Sequence, residues 1–281
     1  MGVETIIAII AIILLINYII SYIFKTKYLA GYNKATNTTT IDAASLNDNT
    51  SISNPVNYSM SLWMYVNDWT YRYGEEKIIA ARGFPINNTI LLPSPSLTLG
   101  SIENQMIIRS SYYLPDGPPP SSATGANTTS NSPITPVMCG VGCNPIDESD
   151  QKLLQTLGIN MNNLGQSENV ISNIPLQKWI NVIVSVYGRS MDVYLDGKMV
   201  NTFVMPGISA VNKQAGLSIT PFGGFSGYTT RMLYLPNSVN PQQAWNIFSE
   251  GYGSTPGLGL ANTKVSVSFS ENGVSNGTLT F

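Results

Sequence analysis

The sequence predicts an all-β protein: one large sandwich carried behind a single N-terminal transmembrane helix. Three observations predict it. Many short stretches alternate apolar with polar side chains and are separated by closely spaced Gly, Pro, Asn and Asp turn signals. One apolar run, 5–24, opens the chain. The 281 residues are only 11% charged and contain no histidine. A chain of this length can bury a large core without disulfides, and imidazole chemistry is closed to it.

The opening run reads TIIAIIAIILLINYIISYIF, with Asn17 and Ser21 its only strongly polar members. About 20 such residues cross a bilayer core as a helix. Tyr18, Tyr22 and Phe24 lie toward one end, as an aromatic belt does. The run is too long for a cleaved signal peptide, and no basic residue precedes it. Glu4 stands before it, whereas Lys25, Lys27 and Lys34 follow. The positive-inside rule therefore predicts a single-pass membrane protein, anchored in the lipid bilayer through 1–27, with its C-terminal domain on the cytoplasmic side. Residues 28–55 are polar and rich in Thr, Asn and Asp, and are predicted to form a tether or an extended lead-in rather than a core element.

Strand signals then begin. Residues 59–66, SMSLWMYV, alternate small or polar with large apolar side chains, and 77–81, 96–99 and 105–109 follow as short strands. Over 114–165 the pattern breaks. Pro118, Pro119 and Pro120 precede a Ser/Thr/Asn/Gly stretch that cannot pair into a sheet, so a surface insertion is predicted, with a helix over 148–157 begun by Asp147. The clearest strand is WINVIVSVY, with Ile180, Val182, Val184 and Val186 on one face. Residues 191–195 return, Asp196-Gly197 signals a hairpin, and 198–204 form its second arm. Two more strands are predicted over 215–220 and 229–234. PQQAWNIF reads as a short helix with Asn240 as N-cap and Pro241 at its first position. The sandwich therefore spans 56–253. A C-terminal β-hairpin extension, 254–281, turns around Asn272-Gly273.

In chain order, SLWMYV, IPLQKWINVIVSV, MDVYLDGKMV, GGFSG and LYLPNSVNPQQAWNIFSEGYG resemble the concanavalin A-like lectin/glucanase superfamily, in its laminin-G-like (LamG) branch. Pro175 and Trp179 match its P-x-x-x-W strand. Tyr194, Asp196, Gly197 and Lys198 match its Y-x-D/N-G-K hairpin, and Gly224 and Gly227 its G-x-x-G segment. Val239, Ala244 and Trp245 carry its closing turn imperfectly. The resemblance covers 57–253 apart from the insertion and implies a jelly-roll sandwich. An anchor followed by this domain, ending NIFSEGYG, is similar to membrane-anchored proteins of large DNA viruses of algae and protists. That similarity implies a viral structural protein: a minor capsid protein of the virion, linking an internal membrane to the capsid shell. Its partners would be capsid or other structural proteins. The superfamily also implies an alternative, a lectin-like carbohydrate-binding module displayed on a membrane.

The chemistry points away from an enzyme. Glycosidases of the superfamily carry a Glu-x-Asp-x-x-Glu pattern, and this chain has none. Asp192 and Asp196 share a strand face, but the turn claims Asp196. Glu75 and Glu76 read as solvated loop acids. The 14 Lys and Arg form no stripe, so no nucleic-acid partner is expected. No cofactor is expected. Calcium has oxygen ligands on offer in Asp68, Asp116, Asp147 and Asp150, but no recognisable calcium loop, so no metal site is assigned. Cys139 and Cys143, in CGVGC, read either as a small disulfide ring or as two free thiols. Trp63 and Trp179 sit in apolar strands and are predicted to be core. Asp68 and Trp69, at a strand end, are the candidate ligand rim, with loop packing the competing role for Trp69. Gly223, Gly224 and Gly227 lack a following Lys-Ser/Thr, which makes them a turn rather than a phosphate loop.

Overall fold

The structure is a computed structural model that describes residues 28–46, 56–86, 89–114 and 164–253, and the backbone of 266–271 and 274–280. In chain order the first strands are β1 (Asn33–Lys34), β2 (Thr39–Ile41), β3 (Tyr58–Asp68), β4 (Lys77–Arg82), β5 (Phe84–Ile86), β6 (Thr89–Leu91), β7 (Ser96–Leu99) and β8 (Gln105–Tyr113). Then come β9 (Leu164–Ser172), β10 (Trp179–Tyr187), β11 (Ser190–Leu195), β12 (Lys198–Val204), β13 (Leu217–Ile219) and β14 (Ser226–Leu235). A helix, α1 (Pro241–Ser249), and a hairpin of β15 (Ser266–Glu271) and β16 (Val274–Thr280) follow. Two six-stranded sheets dominate, one ordered β1-β14-β3-β10-β11-β12 and the other β2-β13-β4-β7-β8-β9. Every strand pair in them is antiparallel.

Strand parity builds the core between the sheets. From the first sheet come Met60, Leu62, Met64 and Val66 of β3 and Ile180, Val182, Val184 and Val186 of β10. The second sheet contributes Ile79, Leu97, Leu99, Met106, Ile108, Leu217 and Ile219. Alternate residues of each strand point to one face, so one parity fills the core and the other faces away from it. In the middle of β10 the outward parity is buried too, because α1 and its lead-in cover it: Ile183 and Tyr194 pack with Val239 and Ala244. That double cover is why WINVIVSVY reads as an almost continuous apolar run. Asn240 caps α1 as expected, accepting from Gln243 N–H at 2.9 Å while Gln243 Oε1 accepts from Asn240 N–H at 2.9 Å.

Several expectations are corrected. Residues 28–46 are not a loose tether. They lay β1 along β14 and β2 along β13, adding an outer strand to each sheet. The cause is backbone hydrogen bonding, which polar side chains do not advertise. A strand that carries no apolar alternation, LGQSENVIS, is β9, and its start at Leu164 moves the end of the insertion forward. Trp63 is buried as expected, though under Phe248 and Tyr252 on the outer face rather than between the sheets, while Trp179, of the same outward parity, is only half-buried. Among the described residues no helix is long and apolar enough to cross a membrane; the run 5–24 lies outside them. So do Cys139, Cys143, Asp116, Asp147, Asp150 and the helix expected over 148–157.

Candidate functional site

The outer face of the first sheet carries an aromatic patch. Register assembles it: Tyr65 of β3 lies directly across from Trp179 of β10 on one side and Tyr228 of β14 on the other. Tyr32, just before β1, stacks on Tyr228 with ring centres 5.2 Å apart and reaches within 6.3 Å of Trp179. After α1 the chain turns at Gly251 and places Tyr252 flat on Trp179, at 5.1 Å and 9°. Trp63 lies beneath, 5.5 Å from Phe248 and 5.8 Å from Tyr252, and only 6% exposed. Trp245 extends the patch onto α1, 5.3 Å from Phe248. It is 45% exposed and Tyr252 39%, while Tyr32, Tyr65, Trp179 and Tyr228 are half-buried. The patch is therefore a solvent-facing surface of rings with polar tips.

Two glycines make room for it. A Cβ on Gly197, at the β11–β12 hairpin tip with φ 72°, would come 2.9 Å from Phe248 Cβ and 3.0 Å from the Trp245 ring. A Cβ on Gly227 would meet the Tyr65 carbonyl at 1.9 Å, so only glycine lets β14 lie this close to β3. The Gly223–Gly227 segment is thus a turn and strand entry, as the sequence indicated.

Tyr28 latches the entering chain beside the patch. Leu29 N–H donates to Met232 O at 2.7 Å, and Met232 N–H to Ala30 O at 3.0 Å. The Tyr28 hydroxyl donates to the Glu250 carboxylate. Arg231 lies over the Tyr28 ring at 5.0 Å and donates to Glu250 O at 2.7 Å. Burial, then the hydrogen bond to Glu250, pushes the Tyr28 phenol up to about 12. Lys34 pairs in register with Tyr228, Lys178 precedes Trp179, and Lys198 follows the Asp196-Gly197 tip. Basic residues therefore border the rings.

The expected ligand rim is built differently. Asp68 accepts from the Thr70 N–H and hydroxyl, both at 2.8 Å, and these bonds hold its carboxyl below the usual range. Trp69 donates to Ile102 O at 3.1 Å and packs against the core margin. Its ring covers Lys77, whose ammonium lies 5.0 Å from the ring centre and whose pKa burial pushes down. The two residues are neighbours that serve a turn and a loop cover.

Most of the other described carboxylates are engaged in structural bonds. Glu76, expected to be solvated, makes a two-pronged pair with Arg109 at 2.7 and 2.9 Å, and Glu168 meets the same guanidinium at 2.8 Å. Glu75 pairs with Arg72. Thr202 donates to Asp192 at 2.8 Å, and Asn181 N–H to Asp196 at 2.9 Å. Among the described residues no three His, Cys, Asp or Glu side chains gather as a metal site. The aromatic patch was missed in the sequence, although Trp63 and Tyr65 sit at the parity opposite to the core residues of the same strand.

No family model matches the chain, and no curated protein does. Among solved structures, it is similar to the binding domain of botulinum neurotoxin DC in complex with rat synaptotagmin II, at 12% identity and TM-score 0.42, over 73% of this chain and 38% of that one. It is also similar to the botulinum neurotoxin serotype D ligand binding domain in complex with N-acetylneuraminic acid, at 10% identity and TM-score 0.44, over 80% and 43%. The chain spans about two-fifths of the length of these structures.

Proposed function

We propose that this chain is a membrane-anchored, non-catalytic interaction protein with a concanavalin A-like sandwich, which joins a bilayer to a protein layer. The setting implied by the sequence resemblance is a virion with an internal membrane, where it would be a minor structural component touching the capsid shell. The observation that carries the reading is the placement of 28–34. Only Lys25, Thr26 and Lys27 separate the apolar run from Tyr28, and Tyr28 is already latched to β14 and Glu250. A module meant to sample space on a long tether needs slack at this point; a module meant to hold a fixed distance needs none. Carboxylates spent on turns and ion pairs support a role without catalysis.

Cross-linking mass spectrometry on the native particle tests the proposal. The expected result is cross-links from the second sheet to shell proteins, with the full chain retained in the membrane fraction. Absence of shell cross-links, with the domain glycosylated and facing the outside of a cell, would reject it.

The aromatic patch favours a second reading, a lectin-like module, because exposed rings stack on the apolar faces of sugars. Titrating neutral and sialylated oligosaccharides against intrinsic tryptophan fluorescence separates the two. Saturable shifts lost in Trp179→Ala would support the lectin; flat titrations support the structural role.

A further inference from the structure

We propose that the aromatic patch is the surface on which the sandwich sits against the bilayer that anchors it. This rests on the anchoring reading above. Three residues between the apolar run and Tyr28 span at most about 14 Å when fully extended. On that reading Tyr28 stays close to the headgroups. Its hydroxyl holds Glu250, two residues before Tyr252, and Tyr252 stacks on Trp179. The patch is thus the part of the sandwich beside the membrane entry.

Its chemistry fits that position. Tyr and Trp side chains combine an apolar ring with a polar tip and settle at the boundary between headgroups and hydrocarbon. Tyr32, Tyr65, Trp179, Tyr228, Trp245 and Tyr252 present six such side chains on one face. Charge complements the rings. Lys25 and Lys27 precede the latch and Lys34 and Lys198 border the patch, while Lys178 pairs with Asp196 and Arg231 with Glu250. Basic side chains at a membrane surface favour anionic headgroups. Arg82 and Arg109, on the other sheet, are turned to internal bonds with Tyr234, Ala215, Glu76 and Glu168. The sandwich then presents its second sheet away from the membrane, toward a shell.

The test uses the full chain in phosphatidylcholine–phosphatidylglycerol vesicles containing a brominated lipid. Variants keep one tryptophan each, Trp179 or Trp69, with the other three changed to Phe. The expected result is that Trp179 is quenched about threefold more than Trp69, as a ring at headgroup depth should be. Equal quenching of the two, in protein that floats with the vesicles and resists carbonate extraction, overturns the seating but leaves the anchor intact. Failure to float overturns both. A second measurement needs no substitution: unaltered chain is photolysed with a diazirine lipid and its peptides are mapped. Adducts concentrated on the Trp245–Tyr252 stretch support the seating. Adducts confined to the second sheet, or to residues before Tyr28, overturn it.

Discussion

Trp179 shows how a single residue changes meaning with parity. Its strand is the most apolar in the chain, yet its ring lies half-buried on the outer face, under Tyr252, while Leu62 of the neighbouring strand is 1% exposed in the core. Removing a core side chain loses its transfer energy and leaves a cavity. We expect Leu62→Ala to cost about 3–4 kcal/mol in urea unfolding, and Trp179→Ala only about 1–2 kcal/mol, since water can refill the outer site. A larger loss for Trp179 than for Leu62 would put the indole back in the core. Glu76 is a second instance. Its sequence setting is that of a solvated loop acid, but its Arg109 pair is mostly enclosed, with side-chain exposures of 12% and 19%. Glu76→Gln should cost about 1–3 kcal/mol, between the values for exposed and fully buried pairs. A midpoint within error of the parent would show that Glu168 alone satisfies the guanidinium.

At the scale of elements, the lead-in matters more than its composition suggests. β1 and β2 close an edge of β14 and of β13, and Ala35 between them is fully buried. Removing residues 1–27 leaves these strands in place and should give a folded, monomeric sandwich. Removing 1–46 strips both and exposes paired edges, which invite association between chains. Size-exclusion chromatography of the two truncations checks this; a monodisperse 47–281 chain would show that the strands are dispensable. Helix α1 depends on its start. Its nine residues are too few to persist without tertiary contacts, so the Asn240–Gln243 capping box is a large share of its local stability. Asn240→Ala should lower stability by about 1 kcal/mol and loosen Tyr252 from Trp179, which tryptophan fluorescence would report.

Across the whole molecule, six of the described tyrosines are held back from ionising. Burial raises the phenols of Tyr28, Tyr32, Tyr58, Tyr112, Tyr194 and Tyr234 above their ordinary 10.0. The unfolded chain therefore loses these protons first. Stability should be flat in this respect up to about pH 10 and should fall as pH rises beyond it, because the folded state then binds more protons than the unfolded one. Urea midpoints at pH 8, 10 and 11 test the sign. A midpoint that rises between pH 10 and 11 would show that another group, such as the buried Lys77, outweighs the phenols. The latch of Tyr28 to Glu250 requires the protonated hydroxyl, so it should hold through pH 11 and open only as the phenol titrates at about 12.

By itself, the sequence determined the all-β class, β10, the Asp196-Gly197 hairpin tip and the capped helix at Pro241. Each of these is a local matter: alternation sets a strand, left-handed backbone selects Asp-Gly, and a side chain three residues from its partner caps a helix. The apolar run and its flanking lysines are likewise legible in one dimension. Only the tertiary structure decided which edge β1, β2 and β9 complete, since their side chains carry no periodic signal and the backbone ladders that place them are long-range. It also decided the aromatic patch. Tyr32, Tyr65, Trp179, Tyr228 and Tyr252 are separated by up to 220 residues and meet only because register sets three strands side by side and the chain after α1 folds back over them. Periodicity tells which residues share a face of one strand, but which strands lie side by side follows from long-range packing.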